Sequence, residues 1–367
     1  MIRIGVLGCG YFGAEFARAI KEREDVQLAA VYSPGKSSER LSRELGCPRA
    51  SSVDEIMENA DIDAVIIATP NYLHHQHVLA AAGAGKHIFC EKPFALNAED
   101  AAEMVEACRK AEVTLMVGHI MHFYQGIARV KAMIQDGFFG DILTMHIERT
   151  GWEQKKAEVS WKKMQEKSGG HLFHHIHEID IMQWIMGVPT EMYAVGGNLG
   201  HRGAEFGDED DVLLLTASFN GNAFATLQYG SGFRVGNHFI RINGTKAGAV
   251  IDFKRAEVRV ISDAGETQFP LFEDEKSARA ICELFARTDG GISYGSPEER
   301  PPEYILVSLR EELELFLHVV SGGEIPEEKK DLFDGSSAVH SVMIAQMGCR
   351  VRGRKSSRRR KEGCIIR

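Results

Sequence analysis

Hydrophobic positions in the first third of the chain come in short β-branched runs, Ile2–Leu7, Gln27–Tyr32, Ala64–Ala68, His87–Cys90 and Thr114–Val117. Stretches with helical spacing lie between them, near 12–22, 37–45, 71–83 and 97–111. Short apolar runs alternating with amphipathic stretches predict a parallel sheet, buried on both faces, with crossover helices. Right-handed crossovers gather the strands' carboxyl ends along one edge, where a ligand can sit. Beyond about residue 120 the texture changes. One helical stretch (123–136) precedes strand-like segments at 141–149, 190–196, 211–219, 222–230, 237–243, 248–252 and 256–261, joined by Gly/Asn turns, with a helix at 177–186. The inside–outside alternation over Ala223–Tyr229 and Phe239–Ile242 fits a mostly antiparallel sheet with one buried face. Helices at 303–320 and 335–347 follow, and the Gly- and charge-rich stretch 265–300 is left unassigned.

The expected architecture is therefore a Rossmann-type α/β domain over 1–120, an α+β domain with an open, mostly antiparallel sheet over 121–348, and a basic, disordered tail over 349–367. Two domains suit 367 residues of ordinary globular composition, 44 % hydrophobic and 26 % charged. No apolar run reaches the roughly 18 residues of a membrane span, and Met1 leads straight into a strand pattern, so a cytoplasmic protein without membrane association is expected. Seven scattered cysteines, Cys9, Cys47, Cys90, Cys108, Cys282, Cys349 and Cys364, show no metal-ligand spacing and are expected to be reduced.

Charge changes the picture at one end only. The net charge is −9, yet residues 350–367 hold nine Lys/Arg against Glu362, so the tail is +8 and the remainder −17. An acidic body repels polyanions, and no nucleic-acid partner is expected. The terminal Cys364-Ile365-Ile366-Arg367 resembles a prenylation box only superficially, because Arg is an unusual last residue for one.

The candidate chemistry begins at Gly8-Cys9-Gly10-Tyr11-Phe12-Gly13, which follows the first strand and opens a helix. Gly8 permits the tight turn, Gly10 lets a pyrophosphate approach the backbone, and Gly13 allows close helix–strand packing. The helix N-terminus, with its N–H donors and positive dipole end at Tyr11 and Phe12, is then expected to face the phosphates of NAD or NADP. No acid stands at the end of the second strand to take a ribose 2′-hydroxyl. Ser33, Lys36 and Arg40 suit a 2′-phosphate instead, which favours NADP over NAD, the competing reading being NAD held by backbone contacts beside solvated loop residues.

Thr69-Pro70-Asn71 ends one strand, and Ala84-Gly85-Lys86-His87-Ile88-Phe89-Cys90-Glu91-Lys92-Pro93 ends the next. With the glycine motif, and with Gly169-Gly170, His177-Glu178-Ile179-Asp180, Trp184 and Gly187 further on, the chain resembles the glucose–fructose oxidoreductase / inositol dehydrogenase (Gfo/Idh/MocA) family over residues 1 to about 348. The resemblance implies a cofactor seat that includes Thr69, Pro70, Asn71, Glu91 and Lys92, and hydride transfer at a secondary alcohol or ketone of a sugar, glycoside or cyclitol. It makes Lys92 the group that polarises the reacting oxygen and His177 the proton carrier, a role for which a histidine with an unperturbed pKa of about 6.5 is suited. Asp180, one turn after His177, is implied to bind a substrate hydroxyl or to orient the imidazole. The likeness also implies a homodimer or homotetramer in which another subunit covers the sheet's outer face.

The departures are specific. Where many relatives carry an aspartate four residues before the histidine, this chain has Phe173, leaving His174 or His175 to supply a polar contact. Where many carry an Asn-x-Arg pair, it has Gly118-His119-Ile120-Met121-His122, so His119 or His122 is a candidate wall residue, with core packing as the competing reading. The polar segment 151–169 is expected to cover the substrate, with Trp152 stacking on a sugar ring, or else to be a solvated hairpin anchored by Trp152 and Trp161. The histidines lack a compelling ligand spacing, and no metal is expected. Three rival activities share these residues. They are a redox-neutral enzyme that oxidises a glycoside transiently and returns the hydride, a cofactor-binding regulator without turnover, and a reductase of aldehydes or diols.

Overall fold

The computed structural model describes residues 1–153, 159–288 and 300–359. The chain forms two compact units, Met1–Phe123 with Tyr294–Val342, and Tyr124–Ser293 with Met343–Arg367.

In the first unit five parallel strands, β1 (Ile2–Leu7), β2 (Val26–Tyr32), β3 (Ala64–Ile67), β4 (His87–Glu91) and β5 (Leu115–Gly118), stand in the order β2-β1-β3-β4-β5. All four residues of β3 and of β5 are buried, as a sheet covered on both faces requires. The chain adds β2 on one side of β1 and β3 on the other. The carboxyl ends of β1 and β3 therefore flank a topological switch point, where α/β sheets bind ligands. Helices Tyr11–Lys21, Lys36–Leu45, His74–Gly83 and Ala98–Lys110 are the crossovers the spacing predicts. Asn97 caps the last of these through its side chain on the Asp100 N–H.

The first unit runs to Phe123, close to the expected 120/121, and the chain returns to it later. On helix Glu303–Val320 the Phe316 ring lies 5.9 Å from that of Phe89, which itself packs 4.8 Å from Phe16, and Arg23 pairs with Glu314. A helix whose apolar face is buried by the parallel sheet belongs to that sheet's core wherever it falls in the sequence.

In the second unit eight strands, β6 (Ile142–Trp152), β7 (Glu191–Gly197), β8 (Val212–Phe219), β9 (Ala223–Gly230), β10 (Gly232–Gly244), β11 (Ala247–Asp252), β12 (Glu257–Ser262) and β13 (Gly265–Pro270), form one sheet in the order β13-β12-β11-β10-β6-β9-β8-β7. Every pairing is antiparallel except β6 with β9. Burial alternates along β8, β9 and β11, so one face carries the core. The other face leaves Tyr193, Val195, Leu214 and Phe224 exposed. The unassigned stretch holds β13 and helix Glu275–Thr288, with 289–299 outside the described residues.

The last helix runs Ser336–Arg359, so the start of the expected disordered tail is helical, and 360–367 lie outside the described residues. No helix among the described residues is long and apolar enough to cross a membrane. The six cysteines among them are unpaired, four of them buried.

Candidate active site

The first unit presents its polar groups at the carboxyl edge of the parallel sheet. Gly8 has φ +95°, and a Cβ there would lie 2.3 Å from the Ala68 carbonyl oxygen; one on Gly13 would lie 1.7 Å from Gly8 O. Gly10, by contrast, has nothing within 4 Å of a Cβ position. Helix Tyr11–Lys21 starts there with no side-chain cap and no acid in its first turn. Glycine is thus forced at the turn and at the helix contact, while the middle glycine faces open space at the helix N-terminus, an arrangement that fits a pyrophosphate.

Two neighbouring strand ends are tied to this loop. His74, 1 % exposed, places its ring nitrogens 2.8 Å from Thr69 O and 2.8 Å from Pro93 O, so it fixes the segments after β3 and β4 relative to each other. Asn71 is buried beside them, with Thr69 and Pro70 half-buried. Lys92 is half-buried, and its ammonium stands 5.8 Å from the centre of the Phe12 ring, which brings the Lys92 side chain to the glycine loop.

Behind Lys92 lies a group of buried charges. Burial pushes Glu91 up to about 7 against the opposing pull of Lys92. Glu312, on helix Glu303–Val320, is raised well above the ordinary carboxyl value by burial and by Glu91. Lys329, brought down to about 8 by burial, donates to the His122 carbonyl.

After β2, Ser33 is buried and its hydroxyl is 2.7 Å from that of Ser37, while Ser38 donates to Ser33 O at 2.8 Å. Lys36 and Arg40 are exposed one turn apart on helix Lys36–Leu45. His122 corrects the expectation of a wall residue. Its side chain is fully buried, with Nδ1 3.9 Å from Asp331, because the Ile120–Phe123 turn is covered by the returning C-terminal segments.

In the second unit the histidine segment 171–180 forms a short helix, His171–His174, and the start of helix His177–Met186. His177 is half-buried and Asp180 is 1 % exposed, with Oδ1 accepting from Gln183 Nε2 at 3.1 Å. The His174 ring meets His175 edge-on at 4.8 Å, and His175 is buried with its carbonyl oxygen 3.1 Å from the Tyr229 hydroxyl oxygen. His171 is brought down to about 3 by burial and by the nearby Lys163 and Arg149 charges. Phe173, at the position where an aspartate was expected, is a core residue; a Cβ on Gly169 would lie 2.6 Å from its ring.

A carboxylate does stand in this segment, on a residue that the local pattern does not single out. Glu178, fully buried, accepts from Arg149 Nη1 at 2.9 Å, from His238 Nε2 at 2.8 Å and from the Tyr229 hydroxyl at 2.8 Å. Burial opposes its ionisation, but Arg149 and the His238 hydrogen bond hold the carboxyl well below its ordinary value. Three strands, β6, β9 and β10, thus clamp the residue next to His177. The signal was present: an acid on the buried face of an apolar helix needs partners.

A second polar group lies nearby in sequence. Glu153 pairs with Lys163, and Ser168 donates to Glu209 at 2.9 Å, while burial lifts Glu209 to about 7. Trp152 is half-buried, but its indole is already engaged by Arg234 and His201 and does not stand bare for a sugar ring. The covering segment falls partly at 154–158, outside the described residues; Trp161 opens a short 3-10 turn. Among the described residues one trio, His75, Asp100 and Glu103, has metal-ligand proximity, and it includes none of the expected site residues.

Residues 2–119 match the profile of an oxidoreductase family with an NAD-binding Rossmann fold, and residues 131–355 match the C-terminal alpha/beta domain of the same family. The chain is 42 % identical over 352 residues, 94 % of its own length and 93 % of the other's, to 2,7-anhydro-N-acetylneuraminate hydratase of Escherichia coli. It is 38 % identical over 343 residues, 93 % of this chain and 91 % of the other, to the protein of the same name from Mediterraneibacter gnavus. The solved oxidoreductase from Agrobacterium radiobacter, in complex with NAD+, L-tartaric acid and magnesium, shares the fold with a TM-score of 0.76 at 19 % identity, covering 96 % of this chain and 97 % of that one.

Proposed function

This chain belongs to the Gfo/Idh/MocA oxidoreductase family, and on that premise we propose that it is a redox-neutral hydratase of an anhydro-sugar acid, of the class of 2,7-anhydro-N-acetylneuraminate. The observation that carries this reading is a likeness spanning both units, at 42 % identity over 94 % of the chain, to a protein of that activity. Bound NAD(P) supplies a hydride acceptor that later returns the hydride, so no net oxidation results. Lys92, beside the glycine loop, donates to the oxygen of the alcohol being oxidised and stabilises its alkoxide character. His177 takes the hydroxyl proton and gives it back when the ketone is reduced. While the ketone stands, the neighbouring α-C–H loses its proton, the C–O bond to the β-oxygen breaks and that oxygen takes up a proton; water then adds across the resulting double bond, hydroxyl to the β-carbon and proton to the α-carbon, so the sum is one water added across a C–O bond.

The test is purified protein with the anhydro acid and NAD+. The expected product is heavier by one water, and NADH does not accumulate in step with it. Equal amounts of NADH and a ketone product would establish instead the net dehydrogenase reading, which family membership supports. We propose further that the exposed face bearing Tyr193, Leu214 and Phe224 is covered by a second copy of this chain. Phe224→Glu combined with Leu214→Glu is expected to reduce the mass seen by light scattering to that of one chain.

A further inference from the structure

Arg234 differs from two other cations of the second unit. Arg149 is paired with Glu178 and Lys163 with Glu153. The Arg234 guanidinium carbon lies 3.5 Å from the centre of the Trp152 ring, with no carboxylate partner among the described residues.

The backbone is built to put it there. β10 and β6 pair Gly232 with Trp152 and then Asn237 with Thr150, so residues 233–236 are extruded from the ladder between these pairs. Such bulges re-aim side chains and recur beside functional sites. Lys254 braces this one by donating to Gly236 O at 3.1 Å. The indole is fixed as well: the His201 ring lies 4.5 Å away, with its Nε2 2.7 Å from Glu153 O. The Asp211 carboxylate accepts from the backbone N–H groups of Leu199, Gly200 and His201 at 2.6–2.7 Å. Stacking on an immobilised indole restricts the guanidinium and leaves its N–H edge free, which makes a preorganised fork for a carboxylate.

Its placement suits a substrate contact. Trp152 stands three residues beyond Arg149 on β6, about 10 Å along the strand. Inside–outside alternation breaks between them, since Thr150 and Gly151 are both buried. Asp211, which fixes His201, also acts electrostatically on His171.

Resting on the anhydro-sugar-acid reading, we propose that Arg234, mounted on Trp152, is the carboxylate-recognising residue of the substrate site and selects sugar acids over neutral sugars. The experiment compares wild type with Arg234→Gln and Arg234→Lys. Kinetics use 2,7-anhydro-N-acetylneuraminate and its methyl ester, and calorimetry in the presence of NAD+ compares the same pair, and glucuronate against glucose. In Arg234→Gln, KM and Kd for the acid are expected to rise about 10- to 100-fold, more than kcat falls, and the preference for acid over ester to shrink accordingly. Lysine, a point charge without the fork, should fall between.

Unchanged acid affinity in Arg234→Gln overturns the assignment, and if wild type turns over the anhydro acid, the hydratase reading survives that result. Arg234-dependent binding of glucuronate by a protein inert towards the anhydro acid supports Arg234 and removes the hydratase reading. Failure of wild type to bind any acid overturns both.

Discussion

The two sheets place charge in opposite ways. At the carboxyl edge of the parallel sheet the candidate cofactor-binding residues come in loops of sequence neighbours, Gly8 to Gly13 in one, Thr69 to Asn71 in another, Glu91 and Lys92 in a third, although Glu312 and Lys329 join Glu91 from far along the chain. Its buried carboxyl, Glu91, is raised to about 7. In the antiparallel sheet the charges run through the strands. Glu178 is held ionised by Arg149, Tyr229 and His238, which stand 29, 51 and 60 residues away in the chain. A loop motif can thus be built from local residues, whereas a buried ion needs partners that only long-range pairing delivers.

The largest expected effect tests whether both halves serve one reaction. Lys92→Ala and His177→Ala should each lower turnover by about 10²–10⁴-fold, with NAD(P) binding retained in the histidine variant as read by nucleotide fluorescence. Full activity in either removes that residue from the mechanism.

Next comes the contrast in carboxyl state. Glu178→Ala strands Arg149 and should cost about 3–5 kcal/mol in urea unfolding, whereas Glu91→Gln, which mimics a carboxyl already near neutrality, should cost about 1 kcal/mol or less. Equal losses would erase the distinction between the sheets.

A pH effect limits that distinction from within the second unit, because Glu209 behaves like Glu91. Burial lifts it from 4.5 to about 7, so between those values the folded chain holds a proton that the unfolded chain has released, and stability falls as pH rises through that window. Glu209→Gln should flatten the decline in Tm between pH 5 and pH 8, gaining on wild type at the upper end; an unaltered slope would show that Glu209 does not titrate there. The smallest effect concerns exposed charges. Removing Lys36 and Arg40 together should raise KM for NADP several-fold and leave NADP and NAD used more nearly alike, since exposed pairs contribute about 1 kcal/mol or less each.

Where partners lie close in sequence, the chain was legible. The glycine turn, the Lys92 strand end and the histidine helix sit where their local patterns place them, because a tight turn, a strand of consecutive apolar residues and a helix ended by a glycine are decided within a few residues. Legibility failed where a residue's environment comes from elsewhere. His122 reads as a wall residue until Lys329 and Asp331 arrive from the far end of the chain and cover it. Trp152 reads as a sugar platform until the bulge in β10 lays Arg234 on it.

By itself the amino-acid order determined the element types, the parallel-then-antiparallel division and the dinucleotide loop, since periodicity and glycine placement act over one turn or one strand. Only the tertiary structure decided that helix Glu303–Val320 rejoins the first unit, that Phe173 is core, and that Glu178 carries the buried charge. Each of these depends on which surfaces meet, and burial and ion pairing are properties of meeting surfaces rather than of any one segment.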